Sequence, residues 1–224
     1  QFTHSVMEWA DPQPDDFTVP RAVAPFRNKD IVFLARAIPD VLVSLFWQHK
    51  TRVKPPYPGE ISDFIRDPAH GVDNAVRFYR LWAEGRDHVK RFMLLRYEDL
   101  RCDPCAQFRA LLEFFGAVVD EARIREAVEF SDFDNMRKME KDDADKKSLR
   151  YQGTGLPVFA TGDIEKTGEA FHVRKGLIGG YREYLTGGDI EFLRSRMRGL
   201  VPDWFGYPDG FEPGCAGPEG ADHV

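Results

Sequence analysis

The sequence predicts an α/β fold, a mostly parallel sheet flanked by helices. Three observations carry that reading. Two short apolar runs bounded by charge, KDIVFLAR ending at Arg36 and RFMLLRY from Arg91 to Tyr97, have the length and composition of strands. Segments of helical spacing stand between and after them, giving the rhythm strand, helix, helices, strand, helix. At 224 residues with 42% hydrophobic composition, the chain fits one domain and can bury a sizeable core.

Taken in order, KDIVFLAR is rich in β-branched and large apolar residues and is predicted to be buried on both faces. Pro39 fits the first turn of the next helix, where a missing N–H costs nothing, and Asp40 fits the positive end of its dipole. That helix is predicted to reach about Lys50, with KPPYPG as the turn or loop beyond it. GEISDFIRD and VDNAVRFYRLWAEG show helical spacing, and the second sets Ala75, Phe78, Tyr79 and Trp82 on one face. After the second strand, EDLRCDP leads into a helix, AQFRALLEFFG, which Gly116 can close in the left-handed conformation. EARIREAVEF and DFDNMRKMEK continue the helical run. Charges, Gly and Thr then replace periodicity from about Lys141 to Thr167, where a loop or lid is predicted. GGYREYLT and DIEFLRSRMRGL are helical in pattern. The Gly-, Pro- and Asp-rich end reads as a flexible tail, giving one domain over 1–204 and a tail over 205–224.

Bulk charge narrows the function. Lys+Arg 31 against Asp+Glu 37 leaves a net charge of -6, so no global field favours nucleic acid or anionic lipid. Positive charge for a small polyanion must be local. VLVSLFW is too short to span a bilayer, and FTHSVMEW has neither the basic start nor the apolar core of a signal peptide. Three cysteines make no disulfide framework, and Cys102 and Cys105 read as an incidental pair around Asp103-Pro104 rather than a zinc or redox motif. No metal cluster stands out, and the expected location is the cytoplasm.

Ligands of parallel α/β sheets sit beyond the carboxyl ends of the strands. Arg36 and Tyr97 occupy two such ends. A guanidinium beside a helix N-terminus makes an anion site, because backbone N–H groups and the dipole add to its charge; structural ion pairing is the other reading. Ser44, a little over one turn into the helix, can reach the same anion or bond a carbonyl one turn back.

VFLARAIPDVLVSLF resembles the 3′-phosphate-binding segment of the sulfotransferases that use 3′-phosphoadenosine 5′-phosphosulfate (PAPS). That segment is an arginine with a serine eight positions on, here Arg36 and Ser44, and Pro39, Asp40 and Val41 also match, while Ala37 and Ile38 depart. LLRYEDLRCDP with LLEFFG, then FSDFDNMRK, then FHVRKGLIGGYREYLT resemble three further family segments in order, extending the similarity to about Arg198. The resemblance implies a P-loop NTPase-like layered fold and a metal-free transfer of a sulfuryl group from PAPS to a hydroxyl, or an amine, of a small molecule. It also implies that Arg36, Ser44, Arg174, Lys175 and Gly176 hold the 3′-phosphate. Tyr97, Ser131 and Phe133 fall on the adenosine side. His4, in FTHSVMEW, matches the histidine that serves as catalytic base, and neutral imidazole suits that task near pH 7. RKG makes chemical sense for a phosphate, offering a fork of donors, a point charge and an unhindered N–H.

Departures matter too. The family's glycine-containing phosphate loop, a P-K-S/A-G-T/N-T run ahead of the histidine segment, has no counterpart here, so the domain is expected to be incomplete at its N-terminus and inactive as it stands. Phe2 and His172 stand where the family often has lysine and phenylalanine, and Gly180-Tyr181 replaces D-W. Gly187 follows Thr186 where a T-V dimer motif is common, leaving a homodimer open. Two competing readings share the fold: a small-molecule kinase using ATP and magnesium, and a non-catalytic nucleotide-binding protein.

Overall fold

The structure, a computed structural model, describes residues 19–51, 53, 55–132, 134–136, 138 and 176–212. Strand β1 (Asp30–Ala35) pairs in parallel with β2 (Arg91–Arg96), from Asp30 opposite Arg91 to Ala35 opposite Arg96. A parallel pair needs a long crossover. Here α2 (Ile38–Thr51), α3 (Ile61–Phe64) and α4 (Val72–Gly85) supply it, and α1 (Val19–Val23) precedes β1. After β2 come α5 (Tyr97–Cys102), α6 (Pro104–Phe114), α7 (Glu121–Phe130) and α8 (Gly187–Met197), with short 3-10 turns at Gly180–Glu183, Asp203–Phe205 and Pro208–Gly210.

Phe33 of β1 is the hub of the core. Its ring lies 5.5 Å from those of Phe78 and Tyr79 on α4, 6.2 Å from Phe92 on β2 and 5.3 Å from Phe205. Ile38, Leu42 and Val43 of α2 and Leu193 and Met197 of α8 complete this cluster. Each such side chain contributes about 1.5–3 kcal/mol on full burial. The predicted face of α4 is the one used: Ala75 and Tyr79 are buried, with Phe78 and Trp82 packed against the core.

Helix ends follow local chemistry. Asp103 caps α6 by accepting from the Ala106 N–H, Pro104 opens that helix, and Gly116 beyond its end has φ 71, a left-handed conformation that glycine adopts without strain. Asp120 caps α7 in the same way. Thr186 and Asp189 form a reciprocal capping box on α8.

Five expectations are revised. Leu34 is 57% exposed, so β1 is not buried on both faces; Phe33 and Ala35 face the core while Leu34 faces the other way, where the described residues leave it uncovered. GEISDFIRD yields only the single turn α3. EDLRC, expected only to lead into the next helix, is itself part of α5, since Glu98 and Asp99 suit its first turn and Asp103 (φ -140, ψ 79) breaks it before α6. GGYREYLT forms a 3-10 turn entered through Gly179 rather than an α-helix. Packing also continues past residue 204: Phe205 and Tyr207 are 0% and 1% exposed, with the Phe205 ring 4.8 Å from that of Tyr79. The stretch 141–167 and residues 213–224 lie outside the described residues. Among those described, no helix is long and apolar enough to cross a membrane.

Candidate functional site

At the carboxyl end of β1 the chain turns from strand to helix through Arg36 and Ala37, and buried polar groups hold that turn. The Arg36 N–H donates to the Tyr79 hydroxyl at 2.9 Å, and the same hydroxyl donates to the Arg36 carbonyl at 2.5 Å. The Ala37 N–H donates to Glu98 at 3.0 Å. The second oxygen of Glu98, a residue only 3% exposed, accepts from the Tyr207 hydroxyl. Burial pushes the Tyr79 phenol far above its ordinary range. Burial does the same to Tyr207, helped by its hydrogen bond to Glu98. Both hydroxyls are therefore protonated at any working pH and act as fixed donors.

The Arg36 side chain reaches beyond the turn. Its Nη2 donates to the Leu177 carbonyl at 2.9 Å and lies 3.4 Å from Asp40 Oδ2, while the guanidinium sits 4.3 Å above the centre of the Tyr97 ring. Arg36 Nε is buried and has no hydrogen-bond partner among the described residues. Tyr97 opens α5 at the carboxyl end of β2, and its hydroxyl donates to the Gly176 carbonyl at 3.1 Å. Asp40 in turn accepts from the N–H groups of Gly179 and Tyr181, each at 2.9 Å. Gly179 has φ 70, a left-handed conformation that glycine adopts freely and that other residues adopt only with strain. Three stretches far apart in sequence thus meet at one edge of the sheet.

They border a cavity of about 720 Å³, within the size range of small-molecule sites. Arg36, Asp40, Ser44, Tyr97, Ser131 and Gly176 line it, together with the apolar Leu95, Leu100 and Phe108.

Five of the residues that the sequence singles out therefore come together: Arg36, Ser44, Tyr97, Ser131 and Gly176. Ser44 is exposed to the cavity, and among the described residues its hydroxyl bonds no carbonyl one turn back. Ser131 differs, since its hydroxyl donates to the Ala127 carbonyl at 2.8 Å and lies 3.3 Å from that of Val128. His4, Phe133, Arg174 and Lys175 lie outside the described residues. Cys102 is exposed and Cys105 half-buried, and the described residues hold no group of three or more metal-ligating side chains. Sequence reasoning missed Asp40 as a clamp, Tyr79 as more than core packing, and Glu98 altogether; the one available signal was that Glu98 belongs to the YEDL run.

The donor set suits a phosphate monoester. The Arg36 guanidinium and the Ser44 hydroxyl, the latter making no hydrogen bond among the described residues, both line this cavity, and such donors favour a compact anion.

The fold is a P-loop NTPase-like α/β layer with its cavity at the carboxyl edge of a parallel sheet. The sequence profile of the sulfotransferase domain matches residues 19–205, and the chain belongs to that family. It is 23% identical over 214 residues to human Sulfotransferase 1C2, a match covering 83% of this chain and 66% of that protein. Rat Sulfotransferase 2A1 is 24% identical over 187 residues, covering 78% of this chain and 59% of that one. Among solved structures, mouse sulfotransferase SULT7A1 complexed with PAP superposes with a TM-score of 0.53 at 17% identity, over 75% of this chain and 58% of that chain, and shares the fold.

Proposed function

We propose that the protein is a sulfotransferase that moves a sulfuryl group from PAPS to a hydroxyl, or an amine, of a small-molecule acceptor and releases 3′,5′-adenosine bisphosphate. The observation that supports this is the meeting of Arg36, Ser44 and Gly176 at one cavity, three residues that the family resemblance assigns to a single phosphate. The mouse relative solved with PAP supports the choice of nucleotide.

Arg36, Ser44 and Gly176, with Arg174 and Lys175, take the 3′-phosphate. Tyr97, Ser131 and Phe133 take the adenosine side. The Ser131 hydroxyl, already donating to its own helix, offers its oxygen as an acceptor there. At the reacting centre the acceptor oxygen bonds sulfur as the bond from sulfur to the phosphate oxygen breaks, and His4 takes the acceptor proton. Rate then comes from in-line positioning and from positive charge about the leaving group, as in phosphoryl transfer, without need of a metal. The protein acts in the cytoplasm, and a homodimer is left open.

Calorimetric titration of the full chain with 3′,5′-adenosine bisphosphate tests the assignment. Arg36→Ala removes charge-assisted bonds worth ~1.5–3 kcal/mol and weakens binding by about 10–100-fold. An unchanged Kd defeats the reading. A kinase would instead be stabilised by ATP with magnesium in a thermal-shift comparison against the bisphosphate; membership of the sulfotransferase-domain family favours the bisphosphate.

A further inference from the structure

Asp40 is 2% exposed, yet it is an aspartate. Burying a carboxylate is costly unless it is charge-paired and hydrogen-bonded, and a place in the first turn of a helix requires no burial. The side chain spends its bonds across the fold. Oδ2 accepts from Gly179 N–H and Oδ1 from Tyr181 N–H, residues 139 and 141 positions away, and Oδ2 also faces Arg36 Nη2 at 3.4 Å. Arg36 Nη2 in turn donates to Leu177, two residues before Gly179. One carboxylate therefore touches both halves of the phosphate cluster: the arginine at the tip of β1 and the loop that follows Gly176.

We propose that Asp40 is the positioning residue of this site, holding the 176–181 loop and the Arg36 guanidinium in register so that the 3′-phosphate of the nucleotide meets an assembled set of donors. This rests on the sulfotransferase reading above. Asp40 touches no phosphate itself; two N–H groups and one cation neutralise its charge, and what it supplies is pre-organisation, which raises affinity by cutting the ordering cost of binding. The 3′-phosphate should feel its loss most, because Asp40 touches Arg36 and the loop after Gly176 directly, while Leu100 and Phe108 line the cavity from α5 and α6.

The test compares two ligands on the full chain by calorimetry: 3′,5′-adenosine bisphosphate and adenosine 5′-monophosphate. Their ratio of Kd values reads the affinity owed to the 3′-phosphate. Asp40→Asn keeps the side-chain size but offers one acceptor oxygen in place of two and no charge, and it should cut that ratio by about tenfold while leaving the Kd for the monophosphate unchanged. A purely structural role would lower thermal stability and leave the ratio alone, and that result in a folded variant overturns the inference. A ratio near one in the wild-type protein overturns the nucleotide reading instead. Should Asp40→Asn fail to fold, amide exchange in the nucleotide-free wild-type protein decides the matter. Protected Gly179 and Tyr181 amides support a preassembled loop; exchange at free-peptide rates, slowed only by added bisphosphate, overturns it.

Discussion

Asp189 offers a stability prediction whose size can be worked out twice. Its carboxylate is 3% exposed and accepts from Ser62 Oγ at 2.8 Å, Arg66 Nη1 at 2.6 Å, Thr186 Oγ1 at 2.7 Å and the Thr186 N–H at 3.1 Å, tying α8 to α3. Burial pushes its pKa up, but the hydrogen bonds from Thr186, Arg66 and Ser62 outweigh that and bring it down from 3.8 to about 2. At 1.36 kcal/mol per unit the depression corresponds to about 2 kcal/mol of stabilisation. Charge-assisted hydrogen bonds lost on substitution give about 1.5–3 kcal/mol independently. Asp189→Asn should therefore destabilise by about 2 kcal/mol at pH 7, or roughly 4–8 °C in Tm for a domain this size. Because the folded pKa is depressed, the stabilisation is complete above about pH 4 and is lost as pH falls through about 2, so that about half remains at pH 3. Urea unfolding followed by far-UV circular dichroism, on both proteins at pH 7 and pH 3, reads this directly. A difference under about 0.5 kcal/mol at pH 7, or one equally large at both pH values, refutes the account.

Tyr79→Phe deletes both bonds to the Arg36 backbone and leaves a buried N–H without a partner, which should cost about 1–3 kcal/mol in urea melts and weaken bisphosphate binding in the same variant. Unchanged stability would mean that the turn is held by Glu98 alone. His49 is kept below its ordinary pKa by burial and by the charge of His70, whose ring lies 4.6 Å away, with Asp67 pulling in the opposite direction. The unfolded chain then binds that proton more readily, so stability should decline as pH drops through about 6.5 and below. His49→Phe, which keeps a ring against Phe64, should flatten that decline between pH 7 and 5; an identical slope in the variant would place its origin in other groups.

What the sequence reveals and what it hides separate by the distance over which each cause acts. Helices α4 and α7 were legible to the residue, because their apolar spacing and the Asp120 cap are encoded within a few positions. Arg36 and Tyr97 were legible because the end of an apolar run marks a strand tip, and ligands of parallel sheets gather there. Tyr79 shows the opposite case. Helical spacing assigns its ring to the core, and the ring does pack on Phe33, but the hydroxyl clamps a backbone 43 residues away. No local pattern separates those two uses of one side chain. Glu98 and Asp40 are similar, their partners lying 61 and 139 residues distant; in the sequence Asp40 reads as an ordinary first-turn acid and Glu98 only as part of the YEDL run. Phe205 and Tyr207 were lost for another reason: averaging over a Gly-, Pro- and Asp-rich stretch hid aromatic residues that the core requires. The structure points to a sharper rule for this fold. An acid in the first turn after a strand can be serving the helix dipole or cross-linking the loops at the sheet's carboxyl edge, and burial decides between them. Asp40 and Glu98, 2% and 3% exposed, are cross-links; Asp99, half-buried, reaches only three residues back, to Arg96, among the described residues.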